Sequence, residues 1–169
     1  MSIVTDLGYR FPTPNLFQRL MQRIGSTRVG AKTMSLTLRH LDSLVLRLSG
    51  GRTTAVALLA GLVALDVTTI GRRSGRPRTS HLIAIPYGER LALLGTNFGG
   101  VATPAWVYNI EAHPEVSLSY GGRTVETTAR LATAEETEAV LAVAETLYVG
   151  YRKYQQRITG RTLRIFLLG

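Results

Sequence analysis

Near residue 50 the spacing of apolar residues changes from a helical to a strand-like period, and this change limits the folds open to the chain. Pro14 to Ile24 has its apolar residues on one helical face, and a second helical pattern continues to Leu48. From Val63 onward, short apolar segments alternate with turn residues, as in antiparallel strands. The predicted strands are Ala64 to Ile70, Thr79 to Tyr87, Leu91 to Thr96, Val116 to Tyr120, Thr124 to Leu131 and Leu163 to Leu168. This order predicts an α+β barrel rather than a parallel sheet.

Cap and turn residues divide the strand-rich part further. Thr103-Pro104 predicts an N-cap followed by proline at the first position of a short helix that ends before His113-Pro114. Thr133 and Glu136 form a capping-box pattern that begins a helix running to about Tyr148. Gly121-Gly122 suits a two-residue hairpin loop, and a second hairpin is predicted at Gly88-Glu89-Arg90.

The length of 169 residues suits one domain with an appended arm. We predict a helical arm over residues 1–50 and a barrel domain over residues 51–169, with a linker around Gly50 to Thr54. The longest apolar run, Ala55 to Leu65, is far shorter than the roughly 20 residues that span a bilayer. No secretory signal pattern is evident at the start, so the expected location is the cytoplasm.

The formal net charge of +9 requires an anionic partner, and its distribution narrows the choice. Residues 1–53 hold eight Lys/Arg against two acids, residues 72–90 five against one, and residues 151–169 five against none. A nucleic-acid module would interleave such residues with exposed aromatic side chains, and these blocks do not. A phosphorylated small molecule and an anionic membrane surface are the favoured partners, and no nucleic-acid partner is expected.

The residues that usually carry catalysis are scarce. The chain has no cysteine, and the spacing of His40, His81 and His113 suggests no metal site. No Ser-His-Asp or Cys-His arrangement can be nominated. We therefore expect no metal, and any redox chemistry needs a bound cofactor.

The most informative stretch is Gly71 to Arg78, between two predicted strands, with four arginines in its last seven residues. Such a density of like charge is favourable when an anion is bound. Glycines at 71 and 75 allow tight turns, and Arg73 and Arg78 can each grip phosphate oxygens in bidentate fashion. The pattern predicts a phosphate-binding hairpin, although a solvated basic turn would look the same.

Three segments in order, Thr68 to Arg78, Gly95 to Gly100 and Thr103 to Asn109, form a recognisable set, and Ala112-His113-Pro114 and Tyr148-x-x-Tyr151-x-x-Tyr154 follow them. Together they resemble the deazaflavin-dependent nitroreductase family, which belongs to the split β-barrel flavin and deazaflavin oxidoreductases of actinobacteria. The resemblance covers roughly residues 47 to 168.

The resemblance implies a split β-barrel of the FMN-binding type, with N-terminal helices and two inserted helices, that binds coenzyme F420, an 8-hydroxy-5-deazaflavin. It also implies which residues touch the coenzyme. The phosphate contacts would be Arg72, Arg73, Ser74 and Arg78; the ring contacts would come from Thr79, Ser80, His81, Leu82 and Ile83, from Leu94, Gly95, Thr96 and Asn97, and from Ala105, Trp106, Val107, Tyr108 and Asn109. On sequence alone, the only tryptophan, Trp106, would be a core anchor.

Tyr148, Tyr151 and Tyr154 recur every three residues, so near the end of one helix they would share a face. That face could be a packed amphipathic edge. It could also be the wall of an acceptor pocket, where rings stack on a flat molecule and a hydroxyl donates a proton. We favour the second interpretation, with Tyr151 touching both coenzyme and acceptor.

The resulting hypothesis is an F420-dependent oxidoreductase that passes a hydride to a quinone, a nitroaromatic or another flat electron-poor acceptor. The alternatives are an FMN-binding protein on the same barrel, a deazaflavin carrier without turnover, and a basic module that binds membrane or nucleic acid. The basic, amphipathic N-terminal residues also predict peripheral contact with anionic lipid at the inner face of the cell membrane.

Overall fold

The structure is a computed structural model that describes residues 2–48 and 55–169. Its helices are α1 (Ile3–Leu7), α2 (Leu16–Gly25), α3 (Arg28–Leu48), α4 (Ala55–Ala60), α5 (Ala105–Ala112), α6 (Ala134–Leu147) and α7 (Gly150–Arg157). Its strands are β1 (Leu65–Ile70), β2 (Pro77–Leu82), β3 (Ala84–Tyr87), β4 (Arg90–Leu94), β5 (Glu115–Tyr120), β6 (Arg123–Leu131) and β7 (Ile165–Leu168). The predicted linker and the predicted end of the second helix at Gly50-Gly51 lie outside the described residues.

The strands form one curled sheet in the order β2-β1-β5-β6-β7-β4-β3, and all paired strands are antiparallel. The predicted α+β class is thereby confirmed. The single strand expected from Thr79 to Tyr87 is wrong, because Ile83 separates β2 from β3. These two strands pair with β1 and β4 respectively, so the chain passes from one edge of the sheet to the other. Local propensity cannot reveal such a crossing, since it depends on distant pairing partners.

Both glycine-containing hairpins are present. Tyr120 pairs with Arg123 across Gly121-Gly122, whose φ values of 57° and 80° suit a type I′ turn. Tyr87 pairs with Arg90 across Gly88 and Glu89. The predicted turns therefore set the register of two strand pairs.

Two hydrophobic clusters cover opposite faces of the strands β4 and β7. Leu91 and Leu93 belong to one cluster and Leu94 to the other, and the same alternation separates Phe166 from Ile165. The second cluster includes residues of α6 and α7. Because helices cover one face and the barrel interior covers the other, these strands are continuous apolar runs rather than alternating ones.

Two helix boundaries test the predicted caps. The capping box of α6 is confirmed, with Thr133 Oγ1 accepting from the Glu136 backbone and Glu136 accepting from the Thr133 backbone. The hydrogen-bonded Arg130 guanidinium lowers the pKa of Glu136 to about 2. At α5 the prediction is wrong by one residue, because Pro104 itself occupies the N-cap position and no side chain caps this helix.

The first residues of the chain are part of the barrel core. Ile3, Leu7 and Tyr9 are buried in the first hydrophobic cluster, and α1 and α4 are helices that the sequence pattern did not predict. The predicted division near residue 50 stays a prediction.

α2 has a full capping box at Asn15 and Gln18, and the Gln22 side chain donates to the Ala60 carbonyl at 2.7 Å.

We expect Tyr9→Phe to lower the free energy of unfolding by about 1–3 kcal/mol. The buried Tyr9 hydroxyl donates to the Val63 carbonyl at 2.5 Å and accepts from the Ala84 N–H at 3.2 Å, so its loss leaves two backbone groups unpaired. Denaturant unfolding measures the change. Tyr120→Phe is the matched control, because the Tyr120 ring packs on Tyr9 at 5.1 Å without a hydroxyl bond in the described structure. Equal stabilities of the two variants would contradict the assignment.

Candidate functional site

The loop between β1 and β2, residues 71–76, is a tight turn built on Gly71. The Gly71 carbonyl accepts from the backbone N–H groups of Ser74 and Gly75 at 3.1 and 2.8 Å, and the Gly71 N–H donates to the Arg76 carbonyl at 2.9 Å. A Cβ atom at position 71 would lie 2.7 Å from Ser74 Oγ. Gly75 has a φ of +63°, where side chains are disfavoured. The turn therefore favours glycine at 75 through its backbone conformation, and a side chain at 71 would crowd Ser74 and the Arg76 carbonyl.

Helix α5 holds this turn through Asn109, which is 8% exposed. The Asn109 Oδ1 atom accepts from the Arg72 backbone N–H at 3.1 Å, and its Nδ2 donates to Thr69 Oγ1 at 3.1 Å. The Arg72 guanidinium lies 4.5 Å from the centre of the Tyr108 ring. The hairpin is therefore fixed to the barrel at its base while its tip projects into solvent.

The arginine side chains of the hairpin are exposed and carry uncompensated charge. In the described part of the chain, none of the ion pairs involves these arginines, which are Arg72, Arg73, Arg76 and Arg78. Guanidinium groups in this state can make charge-assisted bonds to phosphate. The residues present fit the phosphate of a coenzyme tail.

The predicted ring-contacting run from Thr79 to Ile83 does not lie on one face. Along β2, Thr79 and His81 point to one side of the sheet and Ser80 and Leu82 to the other. His81 Nδ1 lies 2.5 Å from Asp66 Oδ1. The side chains of these implied ring contacts are therefore divided between two faces of the sheet, and their contact with the ring stays a prediction.

The segment after β4 is organised by a residue that sequence reasoning did not single out. The Arg161 guanidinium donates to the carbonyls of Gly95, Thr96 and Gly100 at 2.9 to 3.1 Å. Asn97 and Phe98 adopt φ values of 46° and 55°, which are uncommon for residues with side chains. Arg161 therefore holds the loop that contains the predicted contacts Gly95, Thr96 and Asn97, while the predicted contact Leu94 is the last residue of β4. Thr96 is buried and Asn97 is exposed.

The predicted contacts on α5 divide between core and surface. Trp106 is buried and packs edge-to-face against Phe166 with ring centres 6.1 Å apart, and Val107 is fully buried. Ala105 is exposed and Tyr108 is half-buried beside Arg72. In this structure Trp106 serves as a core anchor, and its contact with the coenzyme stays a prediction.

The three tyrosines come together, although not on one helix as predicted. Tyr148 has an extended backbone and ends α6, while Tyr151 and Tyr154 lie on α7. The hydroxyls of Tyr148 and Tyr154 lie 2.7 Å apart, and the Tyr154 hydroxyl donates to the Gly25 carbonyl of α2 at 2.9 Å. The rings of Tyr148 and Tyr151 pack edge-to-face at 5.5 Å. The break at Tyr148 turns the chain back, which places all three rings in one cluster beneath the N-terminal helices.

The tyrosine cluster is largely dry. Each ring is less than a tenth exposed, and burial raises the pKa of Tyr148, Tyr151 and Tyr154. The phenols therefore stay protonated at neutral pH. Among the described residues, the Tyr151 hydroxyl has no hydrogen-bond partner, so it is the phenol free to donate to a bound molecule.

Comparison with known proteins identifies the family. The sequence model of the F420H(2)-dependent quinone reductase family matches residues 37–169 of this chain. This chain belongs to that family.

Relatives in the quinone reductase family agree with the assignment. An F420H(2)-dependent quinone reductase of Mycobacterium tuberculosis strain H37Rv is 27% identical over 67 residues, which are 40% of this chain and 45% of the relative. The chain thus matches less than half the length of this curated relative. A solved F420-H2 dependent reductase, FDR-A, is 29% identical with a TM-score of 0.57, and the match covers 63% of this chain and 93% of that one. A second solved structure, described as a domain-swapped dimer, is 26% identical with a TM-score of 0.59, covering 75% and 95%.

For this member of the quinone reductase family, sequence reasoning missed Arg161, which holds the loop after β4, and Arg157, whose Nη2 atom donates to the Ser26 carbonyl at 2.6 Å. It also missed the role of Asn109 as the anchor of the hairpin. The signal for the arginines was the block of five basic residues without acids in residues 151–169. No local pattern marks Asn109 as the support of a hairpin that lies 37 residues earlier.

Proposed function

We propose that this chain binds reduced coenzyme F420 and passes its hydride to a quinone. The observation that carries the proposal is the set of exposed arginines on the β1–β2 hairpin, unpaired with acids among the described residues and fixed at its base by Asn109. In this proposal Arg72, Arg73, Ser74 and Arg78 hold the coenzyme's phosphate. The family membership and the likeness to a solved F420-H2 dependent reductase support the identity of the coenzyme.

The bound coenzyme would supply a hydride, and the residues of this chain would supply alignment and a dry environment. The loop held by Arg161 and the exposed edge of α5 would orient the ring between them. The tyrosine cluster would exclude water on the acceptor side. The protonated Tyr151 hydroxyl would hydrogen-bond the acceptor oxygen on which negative charge develops.

The test is turnover of reduced F420 by the pure protein. Quinone analogues, nitroaromatics and unsaturated lactones are offered in turn while the loss of reduced coenzyme is followed. We expect quinones to be reduced, with nitroaromatics as further acceptors because they are also flat and electron-poor. Coenzyme binding without turnover of any acceptor would favour a carrier, and retention of FMN in place of F420 would favour a flavin protein on this barrel.

We also propose that the N-terminal helices contact the inner face of an anionic membrane, where lipid-soluble quinones reside. Helix α2 exposes Leu16, Phe17, Leu20 and Ile24, whose exposed fractions range from 49% to 85%, and Arg19 and Arg23 lie beside them. Apolar area flanked by cations is the requirement for interfacial helices. Among the described helices, none is long and apolar enough to cross a bilayer.

We expect a triple variant, Leu16→Gln, Phe17→Gln and Leu20→Gln, to lose most of its binding to vesicles that contain anionic lipid. Point variants are preferable to deletion of the arm, because Ile3, Leu7 and Tyr9 belong to the barrel core. Vesicle sedimentation at low and high salt measures the binding, and Val101→Gln, on an exposed residue outside the arm, is the control. Binding by the triple variant equal to that of the unmodified protein would contradict the membrane proposal.

A further inference from the structure

A cavity of about 290 Å³ lies where α3, the loop after β4 and α7 meet. Its walls include Arg28 and Lys32 from α3, Asn97 and Phe98 from the loop, and Arg157 from α7. Among the described residues it shares no lining residue with the arginine hairpin, although Asn97, one of the coenzyme contacts implied by the resemblance, lies in its wall. The cavity exists only because the N-terminal helices pack beside the barrel loop.

The cavity is strongly basic. Of its described lining residues, three have cationic side chains and none has an acidic one. The Arg157 Nη2 atom donates to the Ser26 carbonyl at 2.6 Å, whereas Nη1 is buried and has no hydrogen-bond partner among the described residues. In the described part of the chain, none of the ion pairs involves Arg28 or Arg157. Arg157 is half-buried, and its guanidinium lies 5.8 Å from the centre of the Tyr154 ring. Partial burial of a charge that has no ion-pair partner among the described residues is costly, and an oxyanion in the cavity would offset that cost.

Apolar side chains stand next to these cations on the same side of α3. Arg28, Lys32 and Leu36 are spaced by four residues, and Val29 lies seven residues before Leu36, so all four fall within about 100° of the helix circumference. Val29 and Leu36 are 78% and 57% exposed. A ligand that reaches the cavity from this side meets cations and apolar surface together, which is the pattern that an anionic amphiphile complements.

We propose that this cavity binds the phosphate headgroup of an anionic phospholipid, with the acyl chains directed along the exposed apolar side of α3. The inference rests on the membrane contact proposed above and gives it a specific site. The lipid would bind beside Phe98, whose ring packs on Tyr154 at 5.9 Å, so the membrane would be engaged next to the tyrosine cluster. A lipid-soluble acceptor could then reach that cluster directly from the bilayer.

The experiment compares two double variants of equal charge. Arg28→Gln with Lys32→Gln removes two cations from the cavity, and Arg19→Gln with Arg23→Gln removes two exposed cations from α2. Binding is measured by calorimetry to short-chain phosphatidylglycerol below its micelle concentration and to glycerol phosphate, and by sedimentation with vesicles of phosphatidylcholine and phosphatidylglycerol.

We expect the cavity variant to lose about ten-fold or more of its affinity for the short-chain lipid, while the α2 variant keeps it. Equal losses in the two variants would overturn the proposal, because general electrostatic attraction would then explain the binding. Glycerol phosphate that binds as tightly as the short-chain lipid would overturn the lipid assignment in favour of a free phosphate ester.

Coenzyme measurements keep this inference distinct from the proposed reaction. The cavity variant should bind reduced F420 and reduce a water-soluble quinone as the unmodified protein does. A ten-fold loss of coenzyme affinity in this variant would assign the cavity to the coenzyme and overturn the lipid site. Absence of turnover in the unmodified protein would instead contradict the reductase proposal. The lipid site would then still be tested by the calorimetric comparison of the two double variants.

Discussion

Replacing Arg73 or Arg78 with alanine is expected to weaken the affinity for F420 by about ten-fold to a hundred-fold or more. A charge-assisted hydrogen bond to phosphate contributes roughly 1.5–3 kcal/mol. Arg73 on the turn and Arg78 at the start of β2 are both exposed on a hairpin that the barrel holds in place. Fluorescence titration measures the affinity. The loss should be smaller at high salt, because salt screens exposed charges.

Arg10→Ala is the matched control, since Arg10 is exposed and lies outside the hairpin, so that the net charge falls equally. A second variant, Asn109→Ala, tests the support of the hairpin rather than the phosphate contact. It should weaken coenzyme binding while all four arginines remain. If Arg73→Ala and Arg78→Ala bind the coenzyme as tightly as Arg10→Ala does, the hairpin is a solvated basic turn.

Tyr151→Phe is expected to reduce turnover of the acceptor by about a hundred-fold or more, with little change in stability. Phenylalanine keeps the ring that packs against Tyr148, and among the described residues the lost hydroxyl has no partner in the protein. A turnover defect in this variant therefore measures the proton that the hydroxyl provides. Steady-state kinetics with a saturating coenzyme gives the rate, and Tyr87→Phe is the control.

Tyr148→Phe and Tyr154→Phe differ from Tyr151→Phe, because their hydroxyls bond to each other and Tyr154 also donates to Gly25. These two variants should loosen the contact between α7 and α2, and thermal unfolding should detect it. Alanine at any of the three positions removes a buried ring, at a cost of about 3–5 kcal/mol, so only variants that remain folded are informative. With Tyr151→Ala we expect some loss of coenzyme affinity as well. Unaltered turnover in folded alanine variants at all three positions would make the tyrosines structural.

Some parts of the candidate site could be predicted from the sequence, and others could not. The arginine hairpin was predictable because glycine and arginine residues that lie close in sequence form it. The shared face of the tyrosines was predicted for the wrong reason, since Tyr148 ends one helix and the next helix carries the other two. The implied ring contacts from Thr79 to Ile83 stay a prediction, and the alternation of β2 places the side chains of Thr79 to Leu82 on two faces of the sheet.

By itself, the sequence determined the features that depend on neighbouring residues. These are the α+β class, the two-residue hairpin at Gly121-Gly122, the capping box of α6 and the basic turn at Gly71 to Arg78. Each follows from backbone preferences or hydrogen bonds within a few residues, so a local pattern is sufficient.

Only the tertiary structure decided which distant groups meet. It separated β2 from β3, placed Asn109 under the hairpin, joined Arg161 to the loop after β4 and brought α2 against the tyrosines. These contacts join residues as far apart as Gly25 and Tyr154, and they form because burying the apolar faces of the helices and strands against one core brings those residues together. The spacing of apolar residues in each segment specifies which of its faces is apolar. The element against which that face packs is selected only when the whole chain folds.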